Sequence, residues 1–331
     1  MGVLRERIKA VMRHPSVIKD IIEGKPRPEI RSKIKRLDGE KMENEVLRFI
    51  NHLKLTLPYY PDPNEPLRLN KLCFIEDWRK KELNEALAEF PTPQFGNFAH
   101  RKRWEWAMGL IAMRRFGKLN QKSIALGVGA GIEPIVFYLA NKLEHVYATD
   151  LYEGKEWKEA PADFPENPKK YAPMPYRENA LTALRMDGTK LEFPSDKFDL
   201  VFSFSSIEHF KRANPAGAWQ SLQEIERVLK SGGIAVITTE YILNDKEHLE
   251  FFNRRTIYSE LIDKVQMKLV EPLDLRITTN TLDTIMDFFT GVKWFDMDDE
   301  YKRTHPVVLL RISNILYTSV MLVFRKKIVS G

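Results

Sequence analysis

From Ser123 onward the chain alternates short apolar runs with longer stretches of helical spacing, a pattern that predicts strands and helices in turn. Ser123–Val128 reads as a buried strand and runs into a glycine turn. Glu133–Lys142 follows as a helix, with Pro134 early, where its missing N–H does no harm. His145–Asp150 (HVYATD) is a second strand ending in an acid, Leu181–Gly188 (LTALRMDG) a third, and Phe198–Ser205 (FDLVFSFS) a fourth. Gln220–Lys230 is a helix stopped by Ser231-Gly232-Gly233, and Ile234–Glu240 (IAVITTE) is a fifth strand. Helical material at Arg255–Lys264 precedes two late apolar runs, Val307–Ile312 and Tyr317–Arg325, close enough for a hairpin.

The first 120 residues have a different texture. Helical spacing at Glu40–Leu55, Asp77–Phe90 and Ala99–Phe116 is punctuated by proline-rich turns, and Gly117 stops the last pattern. Trp104, Ala107, Met108 and Ile111 share a face of that last helix, whose expected role is packing against the sheet. The chain therefore divides into a helical extension, 1–120, expected to take part in substrate recognition, and an α/β domain, 121–331. Two insertions, 151–177 and 242–304, interrupt that domain. The first is proline-rich and irregular, as binding loops often are.

Alternating strands and helices argue for a mostly parallel sheet covered by helices. Ligands of such sheets sit at the carboxyl ends of the strands. The glycine turn, Asp150, Asp187 and the segment from Ser205 to His209 all follow strand ends, so they converge on one rim.

Composition narrows the class. The hydrophobic content of 43% supplies a core, and the single cysteine, Cys73, excludes an intrachain disulfide. No apolar run approaches the ~18 residues of a membrane span. The opening residues lack the order of a signal peptide, and Glu6 stands where a myristoylation signal has Ser or Thr; a soluble, cytoplasmic protein is expected. Up to Arg36 there are eleven Lys and Arg against four acids, a surplus of seven beside the whole chain's +6, so the remainder is close to neutral. That basic segment has the pattern of an amphipathic helix. It leaves an alternative function open: an inert fold binding RNA or an anionic membrane surface through residues 1–36.

The turn itself reads ALGVGAGIEP, with Gly127, Gly129 and Gly131 spaced G-x-G-x-G. A dinucleotide fingerprint wants G-x-G-x-x-G, and here Ile132 takes the third glycine's place; no Gly-Lys-Ser/Thr follows for a P-loop. S-adenosylmethionine uses the same architecture without a phosphate. Asp150, 19 residues past Gly131, is placed to accept hydrogen bonds from both ribose hydroxyls. Asp187 can take the adenine amino group, and the helix start can face the carboxylate of the methionine tail.

With LGVGAG, ATD, MDGTKLEFPSDKFDLVFSFSSIEHF and EIERVLKSGG in this order, residues 123–240 resemble class I S-adenosylmethionine-dependent methyltransferases of the type 11 group. The resemblance implies a Rossmann-like, seven-stranded, mostly parallel sheet closed by an antiparallel C-terminal hairpin, and S-adenosylmethionine as cofactor. The implied cofactor-binding residues are Gly127, Gly129, Gly131, Asp150, Leu151, Asp187, Gly188 and Ser205. Glu208 and His209 follow the fourth strand where the methyl group points, and are the catalytic candidates, His209 as a proton acceptor. Some relatives hold a metal with E-x-x-E-H; Ser205 replaces the first acid, so no metal is expected. The family's usual acid two residues before the first glycine is Ala125 here, with Glu133 as a possible substitute. The expected reaction is methyl transfer to a small-molecule or glycan acceptor, with oxygen favoured.

Overall fold

In the computed structural model, residues 27–92, 95–154, 158–287 and 298–328 are described. Residues 1–26 of the basic segment 1–36 lie outside them, and with them most of the expected contact with RNA or membrane. Helix α1 spans Arg27–Thr56, α2 Lys81–Leu87, α3 Arg101–Arg115, α4 Pro134–Lys142 and α5 Gly217–Val228. The strands are β1 Ile124–Val128, β2 His145–Asp150, β3 Leu181–Arg185, β4 Phe198–Phe204, β5 Leu229–Ile242, β6 Lys268–Leu269, β7 Ile285–Asp287, β8 Leu309–Ile312 and β9 Ile315–Arg325. No helix among the described residues is long and apolar enough to cross a membrane.

The strands form one sheet in the order β3-β2-β1-β4-β5-β9-β8-β7, with β6 paired to β9. Strands β1 to β5 pair in parallel, β9 runs antiparallel to β5, and β8 and β9 form the expected hairpin. The sheet is thus wider than seven strands by the short β6 and β7, both inside the 242–304 insertion. Neither was visible in the sequence, because two or three residues carry no alternation to read.

The strands bury both faces, which is why they read as continuous apolar runs rather than alternating ones. Along β4, Leu200, Phe202 and Phe204 pack into the core layer under α3 and α4, while Phe198 and Val201 pack into the opposite layer under α5. Helix α3 is buried all round from Arg103 to Met113, not along a single stripe. The expected helix 220–230 ends instead at Val228, and β5 starts at once: Leu229 pairs with Phe198 before the register shifts across Gly232 and Gly233 to Ile234 beside Leu200. The glycines expected to stop the helix lie inside this strand and mark its bend.

Candidate active site at the strand-end rim

Parallel pairing of β1 to β4 brings Val128, Asp150, Arg185 and Phe204 to one rim, followed by the turns expected to carry function. Gly129 and Gly131 adopt left-handed backbone, φ +62° and +47°. A side chain at Gly129 would meet Ser206 at 2.6 Å, and one at Gly131 would strike the carbonyl of Glu159. At Gly127 the obstacles are Phe202 and Ala130; at Gly188 they are the Phe210 ring and Val128, both at 2.8 Å. These glycines mark places where other groups come against the backbone.

The Asp150 carboxylate lies at the centre. It accepts the N–H of Gly131 at 3.1 Å and that of Leu151 at 2.7 Å. Burial raises its pKa, and the backbone N–H groups of Leu151 and Gly131 work against the rise. Two elements close over the turn. The loop after β2 lays the Glu159 carbonyl on the Ile132 N–H at 2.9 Å, and buried Tyr152 donates its hydroxyl to the Gly131 carbonyl at 3.0 Å. The 3-10 turn Ile207–Lys211, entered through Ser205 at φ +47°, sets Ser206 against Gly129 and Phe210 against Gly188. The Ile132 N–H, just ahead of the helix start, is thus held by Glu159.

The other expected residues fall into two sets. Leu151 is exposed at 55%, and Asp187 caps its own turn, accepting the Thr189 N–H and hydroxyl at 2.8 Å each. Ser205 turns away, donating to Glu105 of α3 at 3.0 Å. Glu208 is fully buried; one oxygen accepts the Thr239 hydroxyl at 2.8 Å and the other has no hydrogen-bond partner. His209 bonds through Nδ1 to Glu250, which also accepts Arg212 at 2.7 Å, and its Nε2 lies 4.0 Å from Glu208. Burial lowers the His209 pKa against the pull of Glu250, so the imidazole is held neutral and its Nδ1 donates to Glu250.

A third group was missed in the sequence. The first turn of α3 sets part-buried Arg101 and Lys102 and buried Glu105 beside the ends of β4 and β5. Arg101 pairs with Glu105 at 3.0 Å and Glu240 at 2.8 Å. Lys102 reaches Glu105 at 3.2 Å, Glu133 at 3.1 Å and the Phe204 carbonyl at 2.9 Å. Glu105 also accepts Thr238 and Ser319. The available signal was a charged helix start, RKRWE, leading into a segment with no polar face. Glu250 gave no signal of its own.

The site suits an adenosylated cofactor in kind: an acid at the rim beside the glycine turn, backbone stripped of side chains at four points, and charged groups of both signs nearby. Ser206 packs against Gly129 and Phe210 against Gly188, so these two side chains border the same turn.

Residues 126–237 match the family model described as a methyltransferase domain. No curated protein matches the chain in sequence. Among solved structures, a methyltransferase from Aquifex aeolicus that depends on S-adenosylmethionine is similar at 13% identity and TM-score 0.38, covering 74% of this chain and 99% of its own. The YcgJ protein of Bacillus subtilis is similar at 15% and 0.40, covering 67% and 98%. A Haemonchus contortus phosphoethanolamine N-methyltransferase, solved with phosphomonomethylethanolamine and S-adenosylhomocysteine, is similar at 17% and 0.42, covering 67% and 53%. The matched segment spans the glycine turn, Asp150, the His209 turn and most of β5, so residues 126–237 form a methyltransferase domain on the parallel part of the sheet.

Proposed function

We propose that this methyltransferase acts on a hydroxyl oxygen of a small-molecule or glycan acceptor, with His209 as proton acceptor. The observation carrying this reading is the His209–Glu250 pair at the end of β4. A carboxylate fixed on Nδ1 orients the ring and makes Nε2 the atom that takes a proton, and burial keeps the ring neutral. An amine acceptor, deprotonated by solvent before reaction, needs such a base less than a hydroxyl does. The loop that carries Glu250 also borders an open groove of about 460 Å³ lined by Asp245, Glu247, Asn253, Arg254 and Arg255, a polar wall suited to a hydroxylated molecule.

S-adenosylmethionine, when bound, supplies a methyl group on an activated sulfonium. The residues of this chain then have three tasks. Asp150 offers its carboxylate to the ribose hydroxyls once the Gly131 and Leu151 N–H groups share it. Tyr152 and Glu159, which bond to the backbone of the glycine turn, keep water from it. His209 accepts the acceptor's proton at Nε2 while Glu250 stabilises the charge that appears on the ring. Such alignment is worth ~7 to 11 kcal/mol of barrier, and base assistance roughly 10²- to 10⁴-fold.

The test is transfer of labelled methyl to matched panels of hydroxylated and amine acceptors. Transfer to the hydroxylated panel is expected, with His209→Gln losing about 10²-fold or more. Turnover should fall as pH drops below the ordinary histidine range, because only the neutral ring accepts a proton. Glu250→Gln removes a group that raises the His209 pKa, so its acid limb should move to lower pH. Transfer to amines alone, or a His209→Gln enzyme of full activity, overturns the reading.

A further inference from the structure

We infer that Glu133 and Lys102 are the seat of the cofactor's amino-acid end, Glu133 taking its ammonium and Lys102 its carboxylate. The inference rests on the methyltransferase reading above and assigns the part of the ligand that the glycine turn and Asp150 leave unaccounted for. That end is a zwitterion, so it needs a negative and a positive partner side by side within reach of the turn. At Ala125, on β1, the chain offers a methyl group. Glu133 stands two residues past Gly131, at the N-cap of α4, with its side chain only 13% exposed.

The geometry around Lys102 already holds an alkylammonium. Its Nζ donates to Glu133 at 3.1 Å, to Glu105 at 3.2 Å and to the carbonyl of Phe204, the last residue of β4, at 2.9 Å. Two carboxylates and a carbonyl are the acceptor set a primary ammonium requires. They are assembled between the glycine turn and the end of β4, where a nucleoside on Asp150 would direct its tail. The cluster is also one acid in excess. Glu105, Glu133 and Glu240 face Arg101 and Lys102; the buried Oε2 of Glu240, itself 3% exposed, has no hydrogen-bond partner, and beyond Lys102 the Glu133 carboxylate has only the Trp106 indole beside it. Buried carboxylate oxygens left unpaired are costly, and a ligand cation is what satisfies them. In the bound state Lys102 keeps Glu105 and turns to the ligand carboxylate, and the ligand ammonium replaces it on Glu133.

The groups facing Glu133 are Lys102 and Glu105 of α3, the Trp106 indole on the same helix, and Tyr152 of the loop after β2. Burial, opposed chiefly by Lys102, pushes the Glu133 pKa up to about 7. Its charge therefore develops across neutral pH.

Calorimetry with two probes on the full chain tests the assignment: S-adenosylhomocysteine, which has the amino-acid end, and methylthioadenosine, which lacks it. Glu133→Gln and Lys102→Met are each expected to weaken S-adenosylhomocysteine at least tenfold and leave methylthioadenosine within twofold, which also shows that the variants are folded. In the unaltered protein the ratio of the two affinities should rise from pH 6 to pH 8 as Glu133 ionises. Equal weakening of both probes, or a ratio independent of pH, overturns the assignment and leaves the methyltransferase reading standing. Failure of the unaltered protein to bind S-adenosylhomocysteine overturns both.

Discussion

Asp150 has two allegiances, and its substitution separates them. In the structure its carboxylate holds the Gly131 and Leu151 N–H groups, which stiffens the turn; in catalysis it is expected to hold the ribose. Asp150→Ala should therefore weaken S-adenosylhomocysteine at least tenfold, about 1.4 kcal/mol, by calorimetry. It should also lower stability by ~1 to 3 kcal/mol, because two N–H groups lose their acceptor. Asp150→Asn keeps one acceptor oxygen, so it should recover part of the stability and little of the affinity. Unchanged affinity in both variants would remove Asp150 from the cofactor site. The position of this acid was legible in the sequence because strand and turn are local: an apolar run, three glycines and an acid at a fixed distance fix the rim. Glu250 was not, because 41 residues separate it from His209 and nothing in either neighbourhood refers to the other.

At the scale of the element, the turn Ile207–Lys211 decides access. Its Phe210 ring packs on Gly188 and its leading Ser206 on Gly129, so the turn lies directly against the glycine turn. Ser205 enters the turn in left-handed backbone, a conformation that costs a serine ~1 to 2 kcal/mol, and its hydroxyl bonded to Glu105 helps to hold it there. Phe210→Ala should open the crevice and raise the association rate of S-adenosylhomocysteine in stopped-flow mixing, while dissociation changes less. Slower or unaltered association would show that the ring does not stand in the path. Gly188→Ala works the other way: a methyl at 2.8 Å from both Phe210 and Val128 forces the turn outward, at ~1 to 3 kcal/mol of stability by denaturant midpoint. The element also shows why α3 was misjudged. The stripe of Trp104, Ala107, Met108 and Ile111 predicts packing, which is correct, yet the same helix start turns Arg101, Lys102 and Glu105 into the site. Hydrophobic spacing locates a buried face and is silent about charged groups paired beneath it.

For the whole molecule, the buried charge network ties the cofactor site to stability. Glu133 carries an ordinary carboxyl pKa when unfolded and one of about 7 when folded, so the folded state retains a proton that the unfolded state gives up. Raised in the native state, this acid stabilises the fold only while it is protonated. The penalty appears as pH climbs past the unfolded value and is complete above the folded one. A displacement from 4.5 to about 7, at 1.36 kcal/mol per unit, sets an upper figure of roughly 3 kcal/mol for charging Glu133 in the cofactor-free protein. Glu133→Gln stays neutral throughout. Its stability should equal that of the unaltered protein near pH 4, and its advantage should grow between pH 5 and 7 to ~1 to 3 kcal/mol at pH 8, allowing for the ion pair with Lys102 that it gives up. Adding S-adenosylhomocysteine at pH 8 should cut that advantage by about 1.4 kcal/mol or more, because ligand binding stabilises the native state by RT ln(1 + [L]/Kd) and the variant binds at least tenfold more weakly. Thermal unfolding of both proteins across pH 4 to 8, with and without S-adenosylhomocysteine, measures all of this in one series. A stability difference that does not vary with pH would mean that Glu133 is not the group whose charge is held back. A protein in which the variant gains as much from S-adenosylhomocysteine as the unaltered chain would place the cofactor's ammonium elsewhere.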